Sequence, residues 1–277
     1  MQIAVLSGKG GTGKTLLSVN LSYLADNATY VDCDVEEPNG LLYYKLKEKQ
    51  TEDVKIKIPV INHEECIGCE KCTNFCKFNA LAYILDKVRV FKDLCHSCGG
   101  CKLVCPTGAI SEVDKVVGYV HSGSMFDTKI YSGEMIVGVE SGVPIIDNLL
   151  KKVEDSDRLV FVDSPPGNGC SVMESIKDAD YCLLIAEPTI FGLHNLNMVY
   201  KLAKVFDKKI GLVINKYTDN NMINNYAKEN NIKIVGTIPM DLELGKLNSE
   251  GEIVASNSKY KPIFNDILKT IKKELVL

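Results

Sequence analysis

The stretch Ser7-Gly8-Lys9-Gly10-Gly11-Thr12-Gly13-Lys14-Thr15 decides how the rest of the chain is read. Gly8 to Thr15 fits G-x-x-x-x-G-K-[ST]. It lies between an apolar run, Ile3 to Leu6, short enough for a buried strand, and a helix-like pattern from Leu16 to Leu24. Glycines at 8, 10, 11 and 13 let the backbone turn with its N–H groups inward, and the helix that follows offers its N-terminus to an anion. Lys14 has the reach for outer phosphates, and the Thr15 hydroxyl is a ligand for Mg²⁺. A Gly-rich turn with an incidental lysine would not need Lys14 and Thr15 side by side. The expected nucleotide contacts are Gly8, Gly10, Gly11, Thr12, Gly13, Lys14, Thr15 and Leu16.

A chain of 277 residues, 45% of them hydrophobic, has enough apolar side chain for one large α/β domain or a core plus a small module. Its net charge of -4 argues against a general nucleic-acid binder, and Lys45, Lys47, Lys49, Lys55 and Lys57 read as solvated lysines. Met1 leads straight into a strand-like run, and no apolar run approaches spanning length, so a cytoplasmic protein without membrane attachment is expected. Eleven cysteines in that reducing compartment read as metal ligands rather than disulfides.

Two further strands end in carboxylates. Ala28 to Val31 runs into Asp32-Cys33-Asp34, and Leu159 to Val162 into Asp163-Ser164-Pro165-Pro166-Gly167. Carboxylates at a strand's carboxyl end lie where an open parallel sheet puts its ligand. There Asp34 would orient water or accept its proton, Asp163 would hold the Mg²⁺ shell, and Gly167 would offer its N–H to a terminal phosphate. Later runs repeat strand and helix, with Asn215-Lys216 ending one strand and Pro239 another. Ile263, Phe264, Ile267, Leu268 and Ile271 mark an amphipathic helix that suits packing on a sheet better than a membrane surface. Cys33 and Cys182 fall in strand runs and read as packing; Cys170, just past Gly167, has no motif partner and is either an inert thiol or a redox group.

The middle of the chain breaks this alternation. Cys66, Cys69, Cys72 and Cys76 are spaced C-x₂-C-x₂-C-x₃-C, and Cys95, Cys98, Cys101 and Cys105 repeat the spacing with every cysteine displaced by 29 residues. Asn79-Ala80-Leu81 repeats as Gly108-Ala109-Ile110, and Tyr83 to Phe91 reads as a hairpin turning at Asp86-Lys87. A zinc ribbon needs paired C-x₂-C units with a longer spacer, which the extra cysteine in each run does not fit. His96, between two cysteines, is either a donor to a ligand sulfur or an exposed loop histidine.

The cysteine spacing resembles that of bacterial two-cluster ferredoxins. By that resemblance one four-iron cluster takes Cys66, Cys69, Cys72 and Cys105, and the other takes Cys95, Cys98, Cys101 and Cys76. Pro106 follows Cys105 as in that run, whereas Lys77 stands where a second proline would follow Cys76. The loop Gly8-Lys9-Gly10-Gly11-Thr12-Gly13-Lys14-Thr15 resembles the deviant phosphate-binding loop of the MinD, ParA, Mrp and nitrogenase-iron-protein class of ATPases. In that class the lysine matching Lys9 reaches across to the partner subunit's phosphates, which implies a nucleotide-dependent homodimer. The resemblance further implies that Asp34 and Gly167 lie in the two switches, and that Asn215 and Pro239 meet adenine. Guanine-binding N-K-x-D is not matched, because Thr218 stands at the aspartate's place.

The motifs and these resemblances together imply an α/β fold: a mostly parallel P-loop NTPase sheet with helices on both faces, formed by residues 1–59 and 116–277, with a small inserted α+β ferredoxin-like domain at 60–115. The expected activity is ATP hydrolysis, slow without a partner, with Lys9, Lys14, Asp34 and Asp163 catalytic and Thr15 and Asp163 on Mg²⁺. Coupling of the nucleotide switch to electron transfer through two 4Fe-4S clusters, with an unknown redox or acceptor protein, is the first expectation. The alternatives are an Mrp-like iron-sulfur scaffold or carrier and a MinD/ParA-like positioning ATPase.

Overall fold

Apolar runs flanked by helical patterns become buried parallel strands, because a strand covered on both faces need not alternate with polar residues. The computed structural model describes residues 1–46 and 48–275, so Lys47 of the lysine patch lies outside the described residues. In chain order the elements are β1 (Gln2–Leu6), α1 (Lys14–Leu24), β2 (Ala28–Asp32), α2 (Gly40–Tyr43), β3 (Gln50–Ile61), α3 (Lys71–Phe75), β4 (Leu81–Ile84) and β5 (Lys87–Val90). There follow α4 (Gly100–Leu103), β6 (Ile110–Met125), β7 (Thr128–Met135), α5 (Val143–Lys151), β8 (Leu159–Asp163), α6 (Cys170–Ile176), β9 (Tyr181–Ala186) and α7 (Ile190–Val205). The chain then continues through β10 (Lys209–Tyr217), α8 (Met222–Glu229), β11 (Lys233–Pro239), α9 (Leu242–Ser249) and α10 (Lys261–Leu275).

The main sheet runs β11-β10-β9-β1-β8-β2-β7-β6-β3. From β11 to β7 every pairing is parallel. The period of two in β1 sends Ala4 and Leu6 to one face, with α5, α6, α7 and α8, and Ile3 and Val5 to the other, with α1, α9 and α10. The amphipathic C-terminal helix spends its apolar face there: Phe264, Ile267, Leu268 and Ile271 are all buried in the second layer. No helix among the described residues is long and apolar enough to cross a membrane.

The far edge is the part of the expected mostly parallel sheet that is antiparallel. There β6 turns back as an antiparallel hairpin with β7, and β3 pairs antiparallel along β6 from Gln50↔Ser122 to Ile61↔Ile110. A polar tie centred on the buried His121 crosses all three strands: its ring lies 2.9 Å from the Thr51 hydroxyl and 2.8 Å from the Glu134 carboxylate. Both strands of this ribbon run past residues 59 and 116, and the cysteine-bearing residues 62–109 hang from its end.

The duplication seen in the cysteine spacing is also written in the backbone. Left-handed positions recur 29 residues apart: Gly68 and Ser97, Glu70 and Gly99, Asn79 and Gly108. Each cysteine run thus bends sharply at the same two points before its short helix, α3 or α4. Between them β4 and β5 form the hairpin, turning at Leu85 and Asp86, both with positive φ, one residue earlier than expected. Cys72, Cys101, Ala80, Leu81, Val88 and Ile110 make a separate small core.

Candidate nucleotide site and cysteine cavities

The phosphate-cradle sequence sits between β1 and α1 with Gly11 and Gly13 at positive φ. Gly13 is the N-cap of α1, at φ 102°, and a Cβ there would collide with the Asn215 side chain. Lys14 begins the helix and is only 5% exposed. It lines a cavity of about 470 Å³ with Gly10, Gly11, Gly13, Thr15, Leu16, Asp34 and Pro166, so the loop, the first switch and the second switch converge on one space. Gly8 serves differently, since a Cβ there would stand 2.6 Å from the Asn195 carbonyl oxygen of α7. The loop is tightened from inside, where the Ser7 and Thr12 hydroxyls both donate to the Lys9 carbonyl, at 2.7 and 3.2 Å. Gly13→Ala therefore faces both a disfavoured backbone and a clash, and we expect at least a tenfold loss of nucleotide affinity with the fold retained, measured by calorimetry beside a melting curve.

Three carboxylates gather here, of which Asp34 lines the cavity and Asp32 and Asp163 are fully buried. The Asp163 carboxylate accepts at Oδ2 from the Tyr30 hydroxyl at 3.0 Å, while its Oδ1 has no hydrogen-bond partner. Burial raises its pKa and the Lys14 ammonium opposes the rise. A buried carboxylate oxygen without a partner is costly, and a cation is the partner its chemistry suits. Asp32, next to Asp163 across the β2–β8 pairing, is raised well above the carboxylate range by burial and then by Asp163. It accepts from the backbone N–H of Asp34 at 3.2 Å and of Gly40 at 2.8 Å. Asp32 thus shapes the loop that presents Asp34. Burial pushes the Asp34 carboxyl up to about 6, against the pull of Lys14.

Several expected contacts are engaged otherwise. Lys9 reaches Glu187, Nζ to Oε2 at 3.3 Å, and Glu187 is shared with Lys216 at 2.7 Å. The Gly167 N–H donates to the Ser7 carbonyl at 3.0 Å, tying the second switch to the end of β1 rather than facing a phosphate. Asn215 donates to the Thr12 carbonyl at 2.8 Å and accepts from the Lys216 N–H at 2.9 Å. Asn215 and Pro239 nevertheless share a cavity of about 370 Å³ with Gly11, Gly13, Leu16 and α9. Asn248 of α9 lines both this cavity and the phosphate-side one, held by the Tyr43 hydroxyl at 2.8 Å. No sequence spacing announces that wall, because its residues come from distant parts of the chain.

The eight cysteines divide into two sets. Cys76, Cys95, Cys98 and Cys101 line a cavity of about 510 Å³ with Phe75, Phe78, Ala80 and Leu81. Cys66, Cys69, Cys72 and Cys105 line a second, much smaller one of about 20 Å³ beside Ile61, Val88 and Ile110. Among the described residues no three Cys, His, Asp or Glu side chains are placed to hold a single ion. One zinc would require its thiolates to converge to about 2.3 Å from a single centre. Burial pushes the Cys101 thiol up to about 11 and raises Cys72. Cys105 is lowered: burial opposes, but the Thr107 hydroxyl and the N–H groups of residues 107–109 prevail. The His96 ring stacks on Phe78, 3.9 Å between centroids. Cys33, just past the end of β2, and Cys182, within β9, are both buried, and Cys170 is exposed.

Comparisons with known proteins bear on the whole frame. An uncharacterised protein of Methanocaldococcus jannaschii is 31% identical over 278 residues, covering 99% of this chain and 97% of that one. A local match, 33% identical over 72 residues, joins 25% of this chain to 11% of the indolepyruvate oxidoreductase subunit IorA of Pyrococcus horikoshii. Among solved structures, the septum site-determining protein MinD of Pyrococcus horikoshii, complexed with Mg-ADP, superposes with a TM-score of 0.61, covering 99% of this chain and 96% of that one. At 17% identity this likeness concerns the fold alone. Residues 3–254 match the CobQ/CobB/MinD/ParA nucleotide binding domain, and the chain belongs to that family.

Proposed function

We propose that the chain hydrolyses ATP as a nucleotide-dependent dimeric switch and that its eight-cysteine segment, holding two four-iron clusters, is what the switch serves. The observation that carries this reading is the division of the cysteines: the crossed sets implied by the ferredoxin resemblance are the sets that line the two cavities. The local likeness to an oxidoreductase subunit supports the redox side. The Mg-ADP held by the MinD of similar fold supports the nucleotide side.

In this reading Lys14 and the loop N–H groups neutralise the phosphoryl charge, Thr15 and the unpartnered oxygen of Asp163 take Mg²⁺, and Asp34 orients water. Lys9 leaves Glu187 to reach the phosphates of a second copy. Bound to these thiolates, each cluster would supply a one-electron couple. The two sets differ in available space, and the smaller one is the stricter test of fit.

Because kcat/KM reports groups of the free enzyme, it should fall about tenfold per pH unit below roughly pH 6, where Asp34 takes up its proton. Asp34→Asn should lower the plateau and remove that limb, as pH profiles of both proteins would show. The reading itself is tested by sedimentation and dye reduction with anaerobically reconstituted protein. MgATP, and not MgADP, should produce a dimer and change the rate of one-electron exchange with a viologen. A monomer under both conditions, or a rate indifferent to nucleotide, would refute it.

The comparisons lean toward a second reading, in which the output is position on a surface, because a solved structure of similar fold is a septum site-determining protein. The net charge of -4 and the burial of the apolar face of α10 argue against an anionic lipid or DNA surface gripped through that helix. Co-sedimentation with anionic liposomes or DNA in MgATP decides it.

A further inference from the structure

We infer that the bound nucleotide acts on one of the two four-cysteine sites only, that of Cys76, Cys95, Cys98 and Cys101, through a cavity of about 320 Å³ between the cysteine segment and the main sheet. This rests on the cluster reading and adds which site responds and through which residues.

Cys95 and His96 line both this cavity and the four-cysteine cavity, so one loop is a wall common to the two. The opposite side is formed by Ser141, Val143 and Pro144 at the start of α5, and by Cys170 at the start of α6. The lining of the other set's cavity runs from Ile61 to Ile110, shares no residue with this space and includes none from α5 or α6. One site is proximal to the nucleotide and the other distal.

Both nucleotide loops press on that opposite side. In the first switch, Val35 follows Asp34, and its carbonyl accepts from the Met135 N–H at 2.8 Å. Its side chain fills the space that a Cβ at Gly133 or Gly142 would need, and Gly142 is the N-cap of α5. The second switch ends at Gly167, three residues before Cys170, and α6 is tied to α5 by Lys177 and Asp147, 3.5 Å apart. The cysteine loop, by contrast, is pinned to the ribbon: the Ser97 hydroxyl donates to the Lys57 carbonyl at 2.7 Å and accepts from the Lys57 N–H at 2.9 Å. A shift of either switch therefore moves the start of α5 and Cys170 relative to a loop that is held from the other side by Lys57, and so changes the space that borders Cys95. Val35 and Cys170 are positioning residues in this relay.

Coupling of this kind is reciprocal, so nucleotide must change the proximal site's potential as much as its oxidation state changes nucleotide affinity. The test is a dithionite titration of the reconstituted full chain, followed by paramagnetic resonance, with ADP and with a non-hydrolysable ATP analogue. Cys98→Ser and Cys69→Ser assign the signals. We expect the signal missing from Cys98→Ser to shift with nucleotide by about 59 mV, the one-electron equivalent of a tenfold affinity change, and the other to stay in place. Cys170→Trp, which fills the cavity from an exposed position, should at least halve the shift while nucleotide affinity of the oxidised protein stays within twofold. Ser97→Ala, which frees the loop, should do the same. Equal shifts of both signals, a shift of the distal one alone, no shift in a chain carrying both clusters, or a full shift in both variants overturns the relay. A chain that takes up no iron overturns the cluster reading beneath it.

Discussion

Lys14→Met should abolish ATP hydrolysis, lowering kcat/KM about a thousandfold, while the chain stays folded. The side chain is 5% exposed, and methionine occupies a similar volume, so the substitution removes charge rather than packing. That charge has two tasks. It faces the phosphate-side cavity, where loss of one charge-stabilising group typically costs about 10²–10³ in rate. It also lowers the pKa of both Asp34 and Asp163, which burial raises. The variant should therefore hold Asp34 protonated to higher pH than about 6. For stability the sign is fixed by linkage: a carboxyl whose folded pKa is raised contributes stability below its unfolded pKa near 3.8 and loses it as pH rises through the folded value. Without nucleotide, the contribution of Asp34 to stability should be lost between about pH 4 and 6, and Lys14→Met should extend that loss upward. Urea midpoints taken across this range, beside steady-state kinetics, separate the two tasks. Wild-type turnover in the variant would deny the site its central charge.

The second large effect concerns which cysteines act together. Cys76 lies in the first cysteine run, yet it shares a cavity with Cys95, Cys98 and Cys101; Cys105 ends the second run, yet it lines the cavity of Cys66, Cys69 and Cys72. Cys76→Ala should accordingly remove the same spectral component as Cys98→Ala, and Cys105→Ala the same one as Cys69→Ala. Each should leave about half the iron of the wild type. Uncrossed ligation reverses the pairing, with Cys76→Ala matching Cys69→Ala. Low-temperature paramagnetic resonance of the four reduced variants distinguishes the outcomes, and iron analysis shows whether the unaffected set still loads.

The parts legible in the sequence are those where chemistry dictates spacing. The phosphate loop, the two carboxylate-ended strands and the repeated cysteine run each need fixed residue types at fixed intervals, and the structure places them between β1 and α1, at the ends of β2 and β8, and around two cavities. The antiparallel edge was not legible, because β6 carries Glu112, Asp114, Lys115 and His121 and reads as polar until its pairing with β3 and β7 is known. Asp32 was visible as a residue, but its grip on the Asp34 and Gly40 amides depends on how the loop closes. The same holds for Glu187, whose claim on Lys9 and Lys216 joins three separate segments. Asn215 and Gly167 show the converse: a matching position fixes where a residue stands, and the hydrogen bonds within the chain fix which of its groups are engaged.

Iron and sulfide analysis with Mössbauer spectroscopy of the chain, reconstituted without oxygen and saturated with MgATP, tests most directly whether one polypeptide holds both a nucleotide and paired clusters. About eight irons per chain in four-iron form are expected, together with one bound adenine nucleotide. A chain that binds the nucleotide but takes up zinc or no metal at its cysteines would contradict the paired-cluster reading.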